Sequence, residues 1–390
     1  MAKLNIVIFS LLTIFIVPLA CANKISHFNQ SFSSSVARQF KELNIPGGAY
    51  AIIKDDEILA LETFGYTDKT QTQKVTPETV FRLASVSKTF AATVTTMLAQ
   101  EHKLDLSDPI TKFVPKFTLA SEQAANKIKI RHLLSHSSGL MPNAYDNLLH
   151  EDWSFEKIIS RFDRITPLCQ PDQCYGYQNI AYSLIQPAIE ASQKKSFTNL
   201  VQDRLFSPLD MKNASVGIDV FLQENNIAKP HVLVQRVSTG KKNKLGKSIK
   251  RYIWRTVPVT PDFYKVAPAA GINASITDLA KWLIANMGYA PDVLSPSLLK
   301  EITTPRIQTK RDLRKRFWRN HLVDAHYGYG WRIYQFKDYP VIYHSGWVQG
   351  FRADIGYSPE LGIGFAMLMN AESSLIGKIS SEFWTYAKQL

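Results

Sequence analysis

Ser85 and Lys88 stand three residues apart in the stretch Phe81-Arg-Leu-Ala-Ser-Val-Ser-Lys-Thr-Phe90. The run that follows, Thr89-Phe-Ala-Ala-Thr-Val-Thr-Thr-Met-Leu-Ala-Gln100, is apolar and helix-compatible. A helix starting at Ser85 puts residues i and i+3 on one face, with the lysine amine in reach of the hydroxyl. A serine hydroxyl is a poor nucleophile until a partner takes its proton. Lysine does so only if its own proton is cheap to lose, and burial beside an apolar helix with a positive N-terminus pushes it that way. The pair alone also fits an ordinary capped helix with a solvated lysine.

Two further stretches carry groups of the right kind. Tyr175-Gly-Tyr-Gln-Asn179 offers the phenol of Tyr177 and the amide of Asn179. Tyr343-His-Ser-Gly-Trp347 offers His344, Ser345 and Gly346 in a β-rich context. In this order, Ser-x-x-Lys, Tyr-x-Asn and His-Ser-Gly, the three resemble the serine β-lactamase and penicillin-binding family, on its class C and DD-peptidase branch. The flanks Ile130-Arg-His-Leu-Leu-Ser-His-Ser-Ser-Gly-Leu140, Ala269-Ala-Gly271 with Asp278, Tyr327-Gly-Tyr-Gly-Trp331, and Gly350-Phe351 onward are similar to the family too. The likeness spans residues 46–390.

The resemblance implies that Ser85 attacks an amide or ester carbonyl, with Lys88 and Tyr177 sharing the acid and base work. Asn179, His344, Ser345, Gly346 and Trp347 are then the substrate-binding set. The backbone amides of Ser85 and Trp347 are the expected oxyanion donors, and Tyr177 the relay to the leaving group. The third motif departs from the strict β-lactamase pattern, because His344 stands where a lysine is usual. A histidine is only partly charged near neutral pH, which suits a substrate carboxylate less well. β-Lactams, D-Ala-terminated peptides and esters therefore compete as substrates. The alternative of another class is a non-catalytic envelope protein that binds peptidoglycan fragments or β-lactams.

Behind these motifs, the elements read as an α+β domain. Residues 25–44 are an amphipathic helix, and two short apolar runs about Asp55-Asp-Glu57 are a β-hairpin. Residues 85–270 read as mainly helical, broken by a basic stretch at 236–255 that looks like an insertion or flexible loop. From Gly330 to Met369, short β-rich runs form an antiparallel meander, and residues 371–390 close the chain as a helix. The hairpin and the meander are expected to join in one sheet, flanked by the N- and C-terminal helices, as a sheet lobe of residues 23–84 and 271–390. The helical lobe faces it across a cleft.

The 390 residues allow one such domain. Met1-Ala-Lys3 and the apolar run 4–20 resemble a signal peptide with cleavage near Ala22, so residues 1–22 are expected to be removed and the mature chain to be periplasmic or secreted. In such an oxidising compartment, Cys169 and Cys174 are placed to close a small disulfide loop. His132 and His136 have an i, i+4 spacing that can hold a metal, but no metalloprotease glutamate accompanies them, and no metal or cofactor is expected. The net charge of +13 is uneven. The stretch 236–255 holds eight basic residues and no acid, and 310–319 holds six with Asp312, which together account for all of it. An exported chain seldom meets nucleic acid, so these blocks are read as solvated loops facing an anionic envelope surface. A monomer acting on small-molecule or peptide substrates is expected.

Overall fold

The computed structural model describes residues 19–390, apart from 152, 243–245 and 247. The leader expected over 1–22 lies largely outside the described residues; helix α1 (Leu19–Leu43) begins among its last positions. Among the described residues, no helix is long and apolar enough to cross a membrane.

Strands β1 (Gly47–Lys54) and β2 (Glu57–Gly65) form the expected hairpin. Three short strands, β3 (Phe81–Arg82), β4 (Ser215–Val216) and β7 (Ile272–Ala274), make a small sheet beside the Ser85 turn. A two-stranded ribbon of β5 (His231–Lys242) and β6 (Ser248–Thr256) stands between them in sequence. The late strands are β8 (Ile307–Gln308), β9 (Leu322–Tyr327), β10 (Arg332–Phe336), β11 (Pro340–Val348), β12 (Phe351–Ser358) and β13 (Ile363–Met369). The main sheet is antiparallel, in the order β2-β1-β13-β12-β11-β10-β9-β8. Pairing of β1 with β13 joins the two ends of the chain, as the α+β reading requires.

Alternation along the strands divides the core in two. Ala49, Ala51 and Ile53 of β1 pack with Ala366 and Leu368 of β13 into the large cluster shared with the helical lobe. Tyr50, Ile52, Phe365, Met367 and Met369 point the other way and meet α1 and the terminal helix Leu375–Tyr386. At the centre of the larger cluster lies helix α2 (Ser87–Gln100), buried from Ser87 to Leu98. A helix apolar on all sides must be enclosed. Its threonines fit because Thr93, Thr95 and Thr96 return their hydroxyls to the carbonyls of Thr89, Ala91 and Ala92.

The basic stretch 236–255 differs from its reading as a loop. It forms most of β5 and β6, and it packs on the terminal-helix side of the sheet, not in the helical lobe. The reason is Tyr252 and Trp254, set between Arg251 and Arg255, which join the outer cluster together with Leu233 from the start of β5. The second basic block is likewise tied down, since Leu313, Phe317 and Trp318 pack on that cluster.

Candidate active site

Ser85 sits in a single helical turn, Ala84–Val86, that runs straight into α2. In so tight a turn residues i and i+3 align, which puts Lys88 behind Ser85. The turn is reached through Ala84 in the left-handed region (φ 49), a strained conformation for a residue with a Cβ. Leu83 N–H donates to the Ile272 carbonyl at 2.9 Å, so the small sheet clamps the approach. On the other side, β11 lies against the same turn. Gly346 permits this: a Cβ there would stand 2.1 Å from the Leu83 carbonyl oxygen. β10 pairs with β11 only as far as Tyr343, so residues 344–348 have no strand partner on that edge.

Lys88 is fully buried in the first turn of α2. Its Nζ donates to Asn179 Oδ1 at 2.7 Å and to the Ala269 carbonyl at 3.1 Å. Burial pushes the amine well below the usual lysine range; Asp146 pulls the other way, and the Arg332 guanidinium pushes it down further. Asn179 passes the interaction on, since its Nδ2 donates to Asp146 Oδ2 at 2.7 Å. A neutral amine has two N–H bonds and one lone pair. The two acceptors use the N–H bonds and leave the lone pair unshared.

Tyr177 lies over the amine, with Lys88 Nζ 4.7 Å from its ring centre. Burial pushes its phenol upward; the nearby Ser85 hydroxyl and Arg332 oppose this without reversing it. The loop carrying Tyr177 is laced to residues 136–143. Gly176 N–H donates to the His136 carbonyl at 2.9 Å, and Asn143 N–H to the Tyr177 carbonyl at 2.8 Å. Cys169 and Cys174 form the expected disulfide; Asp172 N–H inside the loop they close donates to the Ser137 carbonyl, and Leu168 N–H just before it to the Gly139 carbonyl, both at 2.8 Å.

His344 is fully buried. Its Nδ1 donates to the Ser345 carbonyl at 3.0 Å, and its Nε2 accepts from the Tyr327 hydroxyl at 2.9 Å. Burial, with Arg332 and Lys88 close by, holds the imidazole well below its usual range. It is therefore a neutral partner and not a replacement for the usual lysine cation. Ser345 and Trp347 fall elsewhere with their side chains. Ser345 pairs across the sheet with Asp354, beside the Tyr343 hydroxyl. Trp347 is 58% exposed, with the Arg352 guanidinium 4.5 Å from its ring centre.

The two histidines have separate partners. His132 accepts from Lys129 N–H at 3.0 Å and meets Asp172 at 3.1 Å. His136 lies beyond the helix end at φ 55 and packs at a tilt against Tyr177, with ring centres 4.2 Å apart. Asp278 caps its helix, trading hydrogen bonds with Ser275. Tyr182 holds the α2 backbone through a 2.9 Å bond to the Lys88 carbonyl.

Sequence reasoning passed over Asp146 and Arg332, and gave Tyr327 no role beyond its place in a family-like flank. Arg332 is buried, ion-paired with Asp312, and its guanidinium carbon lies 5.6 Å from the Tyr177 ring centre and 5.4 Å from that of Tyr327. Tyr327 and Arg332 bracket the Gly-Tyr-Gly-Trp stretch, the one signal that could have found them. Asp146 follows Tyr145, held at φ 62, in a segment with no motif of its own.

The Beta-lactamase family model matches residues 30–376. Among curated relatives, Protein flp of Staphylococcus aureus (strain MW2) is 23% identical over 357 residues, which cover 90% of this chain and 64% of that protein. Unguisins hydrolase ungD' of Aspergillus campestris is 24% identical, over 89% of this chain and 62% of that one. The chain thus spans less than two thirds of the length of these relatives. Among solved structures, the octameric penicillin-binding protein homologue from Pyrococcus abyssi superposes with a TM-score of 0.73 at 23% identity, over 92% of this chain and 77% of that one. A D-stereospecific amidohydrolase from a Streptomyces species gives 0.68 at 18% identity, over 90% and 98%. These two likenesses establish the fold. With a family model over most of its length and this sheet-and-helix architecture, the chain belongs to the beta-lactamase family of serine hydrolases.

Proposed function

We propose that this chain is an exported hydrolase that opens small amides or esters, β-lactams among them, through an acyl-enzyme on Ser85. The observation that carries this reading is the Lys88 amine, buried and hydrogen-bonded to two acceptors with its lone pair left over. Lys88 accepts the proton as Ser85 Oγ bonds to the carbonyl carbon. The amides of Ser85 and Trp347 receive the oxyanion. Tyr177, kept as a phenol by burial, gives its proton to the departing nitrogen or oxygen as that bond breaks, and takes one back from Lys88. Water then attacks the acyl carbon and releases Ser85. The open edge at residues 344–348 suits an acyl chain that pairs as an added strand. With His344 neutral, uncharged esters and amides are favoured over substrates that depend on a carboxylate contact at that motif.

The test is time-resolved intact-mass spectrometry with a penicillin, a D-Ala-D-Ala peptide and a p-nitrophenyl ester. Ester turnover faster than that of the D-Ala-D-Ala peptide, with at most a passing penicillin adduct, supports the reading. A penicillin adduct that persists moves the chain to a penicillin-binding role. No adduct and no turnover with any of the three would leave a non-catalytic binder.

A further inference from the structure

Away from the Ser85 cleft, a groove of ≈ 680 Å³ opens between α1, the start of the β1–β2 hairpin and the ribbon of β5 and β6. Its walls are apolar and aromatic, built from Phe40, Phe64, Tyr252 and Trp254. Its rim carries three exposed cations from three elements: Lys41 of α1, Lys69 after β2, and Arg251 of β6. The acid that lines it, Asp68, is already engaged. Lys229 pairs with one of its oxygens at 3.0 Å and Thr256 donates to the other at 2.8 Å. The β5–β6 ribbon beside it adds exposed Arg236, Lys241, Lys242, Lys250 and Arg255, with exposed Val234 and Ile249 between them.

An apolar slot ringed by cations matches a ligand with a negatively charged head and a hydrocarbon tail. A basic ribbon studded with exposed aliphatic side chains matches the surface from which such a ligand comes, because anionic headgroups attract the cations and the interface takes the aliphatic groups. A soluble anionic polymer would use the cations and leave the aromatic slot empty. We propose that this groove binds the headgroup and upper acyl chain of an anionic phospholipid, and that the ribbon seats the terminal-helix side of the protein on an anionic bilayer. This site is independent of the reaction at Ser85.

The experiment is co-sedimentation of the full chain with vesicles of phosphatidylcholine alone or mixed equally with phosphatidylglycerol. Two variants are compared with wild type: the triple reversal Lys41→Glu, Lys69→Glu, Arg251→Glu, and Ala37→Trp, which fills the groove from an exposed α1 position without changing charge. The chain is expected to sediment with the mixed vesicles only. The triple variant should bind at least tenfold more weakly, and Ala37→Trp at least threefold. Soluble dihexanoyl-phosphatidylglycerol should raise the melting temperature of wild type and not of Ala37→Trp, while inorganic phosphate raises neither. Unchanged ester turnover in both variants would show that they fold. Equal binding to both vesicles, wild-type binding by Ala37→Trp, or stabilisation by phosphate alone would overturn the site. So would heparin binding that the triple variant loses while the mixed vesicles bind no protein.

Discussion

Moving one carboxylate across Asn179 should switch off the base. In the double variant Asn179→Asp, Asp146→Asn the number of charges is unchanged, but the negative charge passes from the far side of the amide to direct contact with Lys88. The amide links the two through hydrogen bonds of 2.7 Å on either side. At an effective dielectric of 20, a carboxylate at 2.7 Å holds an ammonium by about 6 kcal/mol, against about 2.2 kcal/mol at the roughly 7.7 Å that the bridge spans at most. The difference, about 3 to 4 kcal/mol, is between two and three pH units. The acid limb of kcat/KM for a p-nitrophenyl ester should move up by about that much, so that on the acid side of both limbs activity falls by roughly a hundredfold or more. Single Asn179→Asp should move it less, because two carboxylates in contact share a proton. An acid limb that stays in place in a double variant of normal melting temperature would refute Lys88 as the neutral base.

Other outcomes follow from the same geometry. Trp347→Ala should leave kcat/KM within about threefold, because an exposed side chain stacked on Arg352 adds little and the backbone N–H remains; steady-state kinetics decides it. Replacing both Cys169 and Cys174 with serine should cost about 2 kcal/mol, from the loop-closure entropy of a short loop, and should lower kcat by loosening the Tyr177 loop. Chemical denaturation and turnover read the two effects. Stability should fall with acid from about pH 6.5, by up to about 1.4 kcal/mol per pH unit for each of His136 and His344. Both are held below their unfolded range, so the unfolded chain takes up protons that the folded one refuses. Asp354 works against this. Burial raises its carboxyl to about 6, so below that pH the folded state binds a proton the unfolded state has not yet taken. Urea midpoints from pH 5 to 8 should therefore show a slope that eases below about 6, and Asp354→Asn should remove the easing.

The β1–β2 hairpin and the meander were legible, because each is a local pattern of apolar runs and turn residues. So was the order of the three motifs, which the fold brings to one turn, one loop and one strand edge. What escaped was set by tertiary contact. Arg332 reads as one charge on a short strand, and only the fold puts it beside Tyr177 with Asp312 behind it. Asp146 gains its meaning from Asn179, far along the chain. The ribbon at 236–255 was hidden because its basic residues outnumber the Leu233, Tyr252 and Trp254 that dock it. For His344 the residue type was plain, but its neutrality depends on Tyr327 and on burial.

The central claim is that Ser85 carries the acyl group. Intact-mass spectrometry during turnover of p-nitrophenyl acetate, quenched in acid and followed by peptide mapping, addresses it directly. One added acetyl group should appear on the peptide containing Ser85 and vanish with both acetylation and turnover in Ser85→Ala. Turnover that survives Ser85→Ala in clean protein, or an acetyl group mapped to another residue, would contradict the account.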